Sequence, residues 1–180
     1  MTIITALSGD DGIYYGYNDG CEIGGTPVFS SHCPWILFGN WALGITGQSI
    51  LQSVLQTNID QLADIEDDFL AISNEISKIF ASNDIGTRSD EGYINIYGIY
   101  SILLHKSGKI WDLSGCLSAT MIPMKRLWAR GSGREYAVGA DYSLLKLNAN
   151  ASTEERVRVA TEAAIVNDIY CVGNPVVKSF

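Results

Sequence analysis

Met1-Thr2-Ile3-Ile4-Thr5-Ala6-Leu7 opens the chain, and Ile13-Tyr14-Tyr15-Gly16-Tyr17-Asn18-Asp19-Gly20 answers it across Ser8-Gly9-Asp10-Asp11-Gly12. β-Branched and aromatic residues on both sides of an Asp-Gly turn predict two strands, 3–7 and 13–19, paired as a hairpin. Asp19-Gly20 ends the second strand, where an aspartate ordinarily bonds its own backbone in a turn. A threonine behind the initiator methionine is an unremarkable start. Once Met1 is removed, however, Thr2 becomes a hydroxyl that carries its own base. An α-amine with a pKa of ~7.7–8.0 can take the hydroxyl proton near neutral pH. The dipeptide alone leaves both readings open.

Outward from this hairpin the chain reads as strands, two helices, strands, two helices and a strand. Residues 21–34 look irregular, and Trp35-Ile36-Leu37-Phe38 and Trp41-Ala42-Leu43-Gly44-Ile45 then flank Gly39-Asn40 as a second hairpin. Apolar residues at Ile50, Leu51, Val54, Leu55, Ile59 and Leu62 fall on one helical face, and a further helix is expected across about 65–81. Residues 93–104 alternate as a strand, Lys106-Ser107-Gly108-Lys109 turns the chain into Ile110–Leu113, and another strand lies near 126–130. Gly131-Ser132-Gly133 opens a third helix through Tyr136, Ala137, Val138, Ala140, Leu144 and Leu145. Ser132 in that turn is a candidate N-cap. Ser152 and Glu155 form a capping box for a fourth helix. Ile169-Tyr170-Cys171-Val172 and Val176-Val177 close the chain as strand sequence.

The 180 residues, 47 % hydrophobic, suit one domain over 1–180 with a full core. The 18 % charged content lies below the usual level of roughly 25 % and fits a subunit that covers surface in an oligomer, or a well-packed monomer. A mean hydropathy of +0.11 agrees. Net charge −8 and a pI near 4.6 argue against nucleic acid or an anionic membrane as partner. Cys21, Cys33, Cys116 and Cys171 have no Cys-x-x-Cys spacing and only His32 and His105 to join them, a poor zinc set. With no secretory segment ahead of Thr2, the expectation is a cytoplasmic protein with free thiols. Hairpin-linked strands and two helix pairs together predict an α+β fold, two antiparallel sheets between two helix layers.

In order along the whole chain, these segments resemble the proteasome β-subunit family, most closely the HslV-type peptidases and related bacterial homologues. Met-Thr-Ile-Ile opens the strand. Leu43-Gly44-Ile45-Thr46-Gly47 resembles the Gly-rich strand end before the first helix, and Gly131-Ser132-Gly133-Arg134-Glu135-Tyr136-Ala137 resembles the Gly-Ser-Gly-x-x-Tyr-Ala segment. Asn167-Asp168-Ile169-Tyr170 resembles the Asp-Ile-Cys region. The resemblance implies the four-layer αββα Ntn-hydrolase fold, with Thr2 as nucleophile and Asp19 as its structural aspartate. It also implies Gly47 as the oxyanion N–H, a donor worth ~2.7–4 kcal/mol, with Ser132 and Asp168 routing protons. It further implies a homo-oligomeric ring or stacked rings, a peptide substrate, an unfoldase partner and no required cofactor. A structural monovalent or magnesium ion would sit on the carbonyls of Asn167, Tyr170 and Gly173.

One departure stands out. The family keeps a lysine between the structural aspartate and the Gly-rich strand, but residues 20–47 contain neither lysine nor arginine. The position falls at or near His32, which supplies positive charge only when protonated. His32 is therefore either a base or electrostatic partner, or an ordinary loop histidine beside Cys33-Pro34. Two functions follow: an N-terminal-threonine amide hydrolase, or a catalytically degenerate homologue that serves the assembly as a ring or filament.

Overall fold

The computed structural model describes residues 2–23, 26–29, 33–47, 49–63, 65, 67–88, 94–95, 100–115 and 118–180. The first half holds β1 (Ile3–Gly9), β2 (Gly12–Asn18), β3 (Gly20–Ile23), β4 (Thr26–Phe29), β5 (Trp35–Phe38) and β6 (Trp41–Thr46). Helices α1 (Ser49–Thr57), α2 (Ile59–Ala63) and α3 (Phe69–Ser82) follow. Next come β7 (Thr87–Arg88), β8 (Ile94–Asn95), β9 (Tyr100–His105), β10 (Ile110–Leu113), β11 (Ala119–Ile122) and β12 (Trp128–Gly131). The chain ends with α4 (Arg134–Leu147), α5 (Thr153–Asn167) and β13 (Pro175–Ser179).

The strands form a four-stranded sheet, β12-β1-β2-β13, and a five-stranded sheet, β11-β10-β9-β6-β5, all pairs antiparallel. The period-2 rule explains how β1 serves two layers at once. Ile3 and Leu7 pack into a core with Val157, Ala160 and Ala164 of α5, and Ile4 and Ala6 face a core shared with Trp35, Ala42, Ile102 and Leu104 of the other sheet. A third core lies beyond that sheet, where Leu43, Ile45 and Leu103 meet Leu51, Leu55, Ile72, Ile76 and Phe80 of α1 and α3. The order of layers is therefore helix, sheet, sheet, helix, as the element order predicts.

Several local expectations need correction. The first helix does not run through to Leu62. Asn58 breaks it, its side-chain amide donating to the Val54 carbonyl at 2.8 Å in competition with the helical ladder. The next helix starts at Phe69 because Asp68 caps it, accepting from Leu70 and Ala71 N–H at 2.9 and 3.1 Å. Within 21–34 the backbone pairs as the hairpin β3–β4, and β11 appears where no strand was expected. Of the predicted strand 93–104, Ile94–Asn95 and Tyr100–His105 are strand; residues 93 and 96–99 lie outside the described set. Ile169–Val172 is no strand: Asp168 folds it into a turn by accepting Tyr170 N–H on Oδ1 and Cys171 N–H on its carbonyl, both at 3.0 Å. The Ser152 cap forms as expected, accepting Glu155 N–H at 3.1 Å.

The face that α4 turns inward carries a buried charge, Asp141, beside the buried Ala137. Asp141 accepts Arg156 Nε at 2.7 Å and Nη2 at 2.9 Å, and the same Nη2 donates to the Lys125 carbonyl at 3.0 Å. Both residues are buried, so each charge depends on the other. We expect Arg156→Met alone to cost about 3–5 kcal/mol in urea unfolding, by leaving Asp141 buried and unpaired. Adding Asp141→Leu should recover most of that loss.

Candidate active site

Thr2 enters β1 half-buried, and three contacts fix its place. β12 pairs with β1 so that Gly131 lies opposite Ile3. At Gly131, with φ +114°, an added Cβ would fall 2.0 Å from the Thr2 carbonyl oxygen, so only glycine lets the two backbones approach. On the other side Ile3 N–H donates to Asn18 Oδ1 at 2.8 Å. The Asn18 amide then donates to the carbonyls of Gly20, at 2.7 Å, and Val172, at 2.8 Å. This buried, neutral side chain ties together the start of β1, the end of β2 and the loop after α5.

Asp19, expected beside the nucleophile, turns to that loop. Its Oδ1 accepts Asn174 N–H at 2.6 Å, its Oδ2 accepts the Asn174 amide at 3.5 Å, and its own N–H donates to the Asn174 carbonyl at 3.1 Å. Asn18 is the side chain that reaches the Thr2–Ile3 link. His32 lies outside the described residues.

Thr2, Gly47 and Ser132 line one pocket of about 310 Å³, together with Thr46, Tyr100, Arg130, Gly131, Arg134 and Glu135. Gly47 follows directly on β6 with φ +110°, a conformation that favours glycine. Ser132 does not cap α4. Gly133 holds the N-cap position and makes no side-chain cap, so the Ser132 hydroxyl is left for other partners. It lies 3.5 Å from Cys171 Sγ, whose thiol in turn donates to Asp168 Oδ2 at 3.3 Å.

Burial works against ionisation of Asp168. The Ser132 hydroxyl, the Tyr170 N–H, the Cys171 thiol and the positive amino terminus outweigh it and hold the carboxyl below its ordinary value. Burial first, and then the Asp168 carboxylate, push the Cys171 thiol up to about 11 against the Ser132 hydroxyl. Cys171 is thus a proton donor here and no nucleophile at neutral pH. Nothing in the sequence marks Cys171 or Asn18 for the site. The cysteine is a lone one, and the asparagine looks like the start of the turn at Asp19-Gly20.

The cations lining the pocket are arginines of β12 and the start of α4. Arg130 Nε donates to Asp112 Oδ1 at 2.5 Å, and its Nη2 bonds Asp112 Oδ2, a pair that joins β12 to β10. Its guanidinium lies 5.5 Å over Tyr100, and that of Arg134 lies 5.0 Å over Trp128.

The expected ion site has carbonyls to offer. The α5 cap N–H takes the Ala164 carbonyl and Cys171 N–H takes that of Asp168, leaving those of Asn167, Tyr170 and Gly173 without an N–H partner among the described residues. The Asn167 amide instead bonds back to the Ala163 carbonyl at 2.8 Å. Among the described residues no group of three or more His, Cys, Asp or Glu could hold a metal, so side-chain ligation does not fit. No helix of the described residues is long and apolar enough to cross a membrane.

No protein-family model matches the sequence, and no curated protein matches it. Solved structures do. The chain is similar to Thiobacillus denitrificans BPH in complex with epoxomicin, at 17 % identity and TM-score 0.75 over 98 % of both chains. It is similar also to Thiobacillus denitrificans BPH alone, at 17 % identity and TM-score 0.76, over 98 % of this chain and 97 % of that one. Eukaryotic HslV from Trypanosoma brucei matches at 17 % identity and TM-score 0.66, over 99 % and 98 %. The likeness shows the fold: this chain has the architecture of the HslV-type and BPH chains along its whole length, as the resemblance implies.

A carboxyl held below its ordinary value of 3.8 in the folded state stabilises that state at all pH values above 3.8. The contribution is lost as pH falls through the lower folded value. Urea unfolding of the unmutated chain and Asp168→Asn should therefore differ most near neutral pH, and the gap should shrink below about pH 3.8. A gap that stays constant on acidification would remove the carboxylate from this account.

Proposed function

We propose that the chain is a proteasome-like, HslV-type subunit, a cytoplasmic N-terminal-threonine amide or peptide hydrolase that assembles with copies of itself into a ring or chamber. The observation that carries the proposal is the convergence of Thr2, Gly47 and Ser132 on one pocket, from three separate elements, with Asp168 close to Ser132.

Removal of Met1 frees the Thr2 amine. The amine takes the Thr2 hydroxyl proton, and Oγ1 attacks the substrate carbonyl. The Gly47 N–H stabilises the tetrahedral oxyanion. The amine then returns the proton to the departing amine, and water cleaves the Thr2 ester by the same path in reverse. Ser132, in contact with Cys171 and Asp168, keeps a hydrogen-bonded route for protons beside the base. A monovalent or magnesium ion on the carbonyls of Asn167, Tyr170 and Gly173 would brace the loop that carries Asp168. A peptide is the substrate of this reading, with an unfoldase as supplier of unfolded chain to the chamber. Support comes also from the BPH chain of the same fold, solved in complex with epoxomicin.

A second reading rests on the frame around Thr2. Asn18 is neutral and residues 20–47 bring no lysine or arginine, so the nucleophile lacks the ammonium that the family uses to depress its pKa. On this reading the chain is a degenerate homologue that builds the ring or filament. Hydrolysis of fluorogenic tripeptide amides, followed beside native mass, separates the two. The hydrolase reading expects a ring whose activity falls by on the order of a thousandfold or more in Thr2→Ala with assembly intact. An intact assembly with equal background rates in both proteins supports the scaffold.

A further inference from the structure

Among the described residues, the pocket beside Thr2 contains a cation without a counter-ion. Arg130 is spent on Asp112, but Arg134 has no carboxylate within ion-pair distance among the described residues and none of its N–H donors has an acceptor there. The residue is half-buried, and its guanidinium lies 5.0 Å over the Trp128 ring, a contact that uses the cation's charge but none of its N–H donors. Glu135 lines the same pocket, but it is exposed, and adjacent residues on a helix do not face each other. The first turn of α4, a 14-residue helix whose N-cap Gly133 makes no side-chain bond, adds the positive end of its dipole on the same side. In a chain of net charge −8, this is an unusual place for an unpaired guanidinium.

We propose that Arg134 makes this pocket select a substrate carboxylate, so that peptides presenting an acidic group beside the scissile bond are preferred. The proposal rests on Thr2 being the reacting group. It assigns Arg134 to specificity and leaves the bond-making step to Thr2. The carboxylate has two possible sources, a glutamate side chain or the free C-terminus of a peptide. Both present two oxygens that match the guanidinium fork.

Binding to the full chain carrying Thr2→Ala, which cannot turn substrate over, tests it by calorimetry. The probes are Ac-Leu-Leu-Glu amide, Ac-Leu-Leu-Gln amide and Ac-Leu-Leu-Gln with a free carboxylate. At least one carboxylate peptide should bind roughly tenfold more tightly than the neutral amide. A gain for the first identifies a side-chain carboxylate, and a gain for the third identifies a terminal one. Adding Arg134→Gln should abolish the preference while the unfolding midpoint stays unchanged. Arg134→Lys should restore part of it. Equal affinities, a preference that survives Arg134→Gln, or no binding of any probe overturns the proposal. Carboxylate preference in a protein that hydrolyses nothing would count against the hydrolase reading alone.

Discussion

Everything in this structure depends on β1 being unable to move. Ile3, Ile4, Thr5, Ala6 and Leu7 are wholly buried, hydrogen-bonded to β2 on one side and β12 on the other, and covered on both faces. Full burial of an isoleucine or leucine is worth about 1.5–3 kcal/mol. A slip of one residue would send Ile3 and Leu7 to the inter-sheet core and Ile4 and Ala6 to the helices. Thr5 would go with them and lose its 2.8 Å hydroxyl contact with Thr161 of α5. The Gly131 backbone against the Thr2 carbonyl adds a steric stop. A side chain at the end of such a strand is positioned before any ligand arrives, the preorganisation that the proposed covalent mechanism requires.

The frame around this fixed point is polar yet low in charge. Asn18 holds the strand start with an amide where a carboxylate was expected, and Asp19 is occupied with Asn174. Asp168, its carboxyl held below the ordinary value, stands with Cys171 beside Ser132. A neutral amide needs no counter-ion, which makes the absence of a lysine in 20–47 consistent with the structure around Asn18. Positive charge enters from β12 and the start of α4, on Arg130 and Arg134.

The layers were legible in the sequence because they follow from local rules. The Asp-Gly and Gly-Asn turns, the capping box at Ser152 and the alternation in β1 and β6 are each readable within a few residues. The pocket was partly legible too: Thr2, Gly47 and Ser132 were nominated, and the fold brings them together. What escaped is what only tertiary contacts decide. Asn18 and Asp19 are neighbours of similar turn propensity, and which one faces β1 depends on strand pleat and on a loop some 155 residues away. The strand reading of Ile169–Val172 failed because the Asp168 carboxylate competes for that backbone. The inward Asp141–Arg156 pair, which joins two poorly amphipathic helices, α4 and α5, leaves no periodic signal. The Cys171 contact belongs to the same class.

The central claim is that Thr2, freed of Met1, is a reactive nucleophile in this pocket. Intact mass spectrometry of the protein before and after incubation with a peptide epoxyketone measures it directly. The account predicts a chain lacking the initiator methionine that gains one inhibitor mass, with no gain in Thr2→Ala. A processed chain that stays unlabelled, or that is labelled equally in Thr2→Ala, would contradict it.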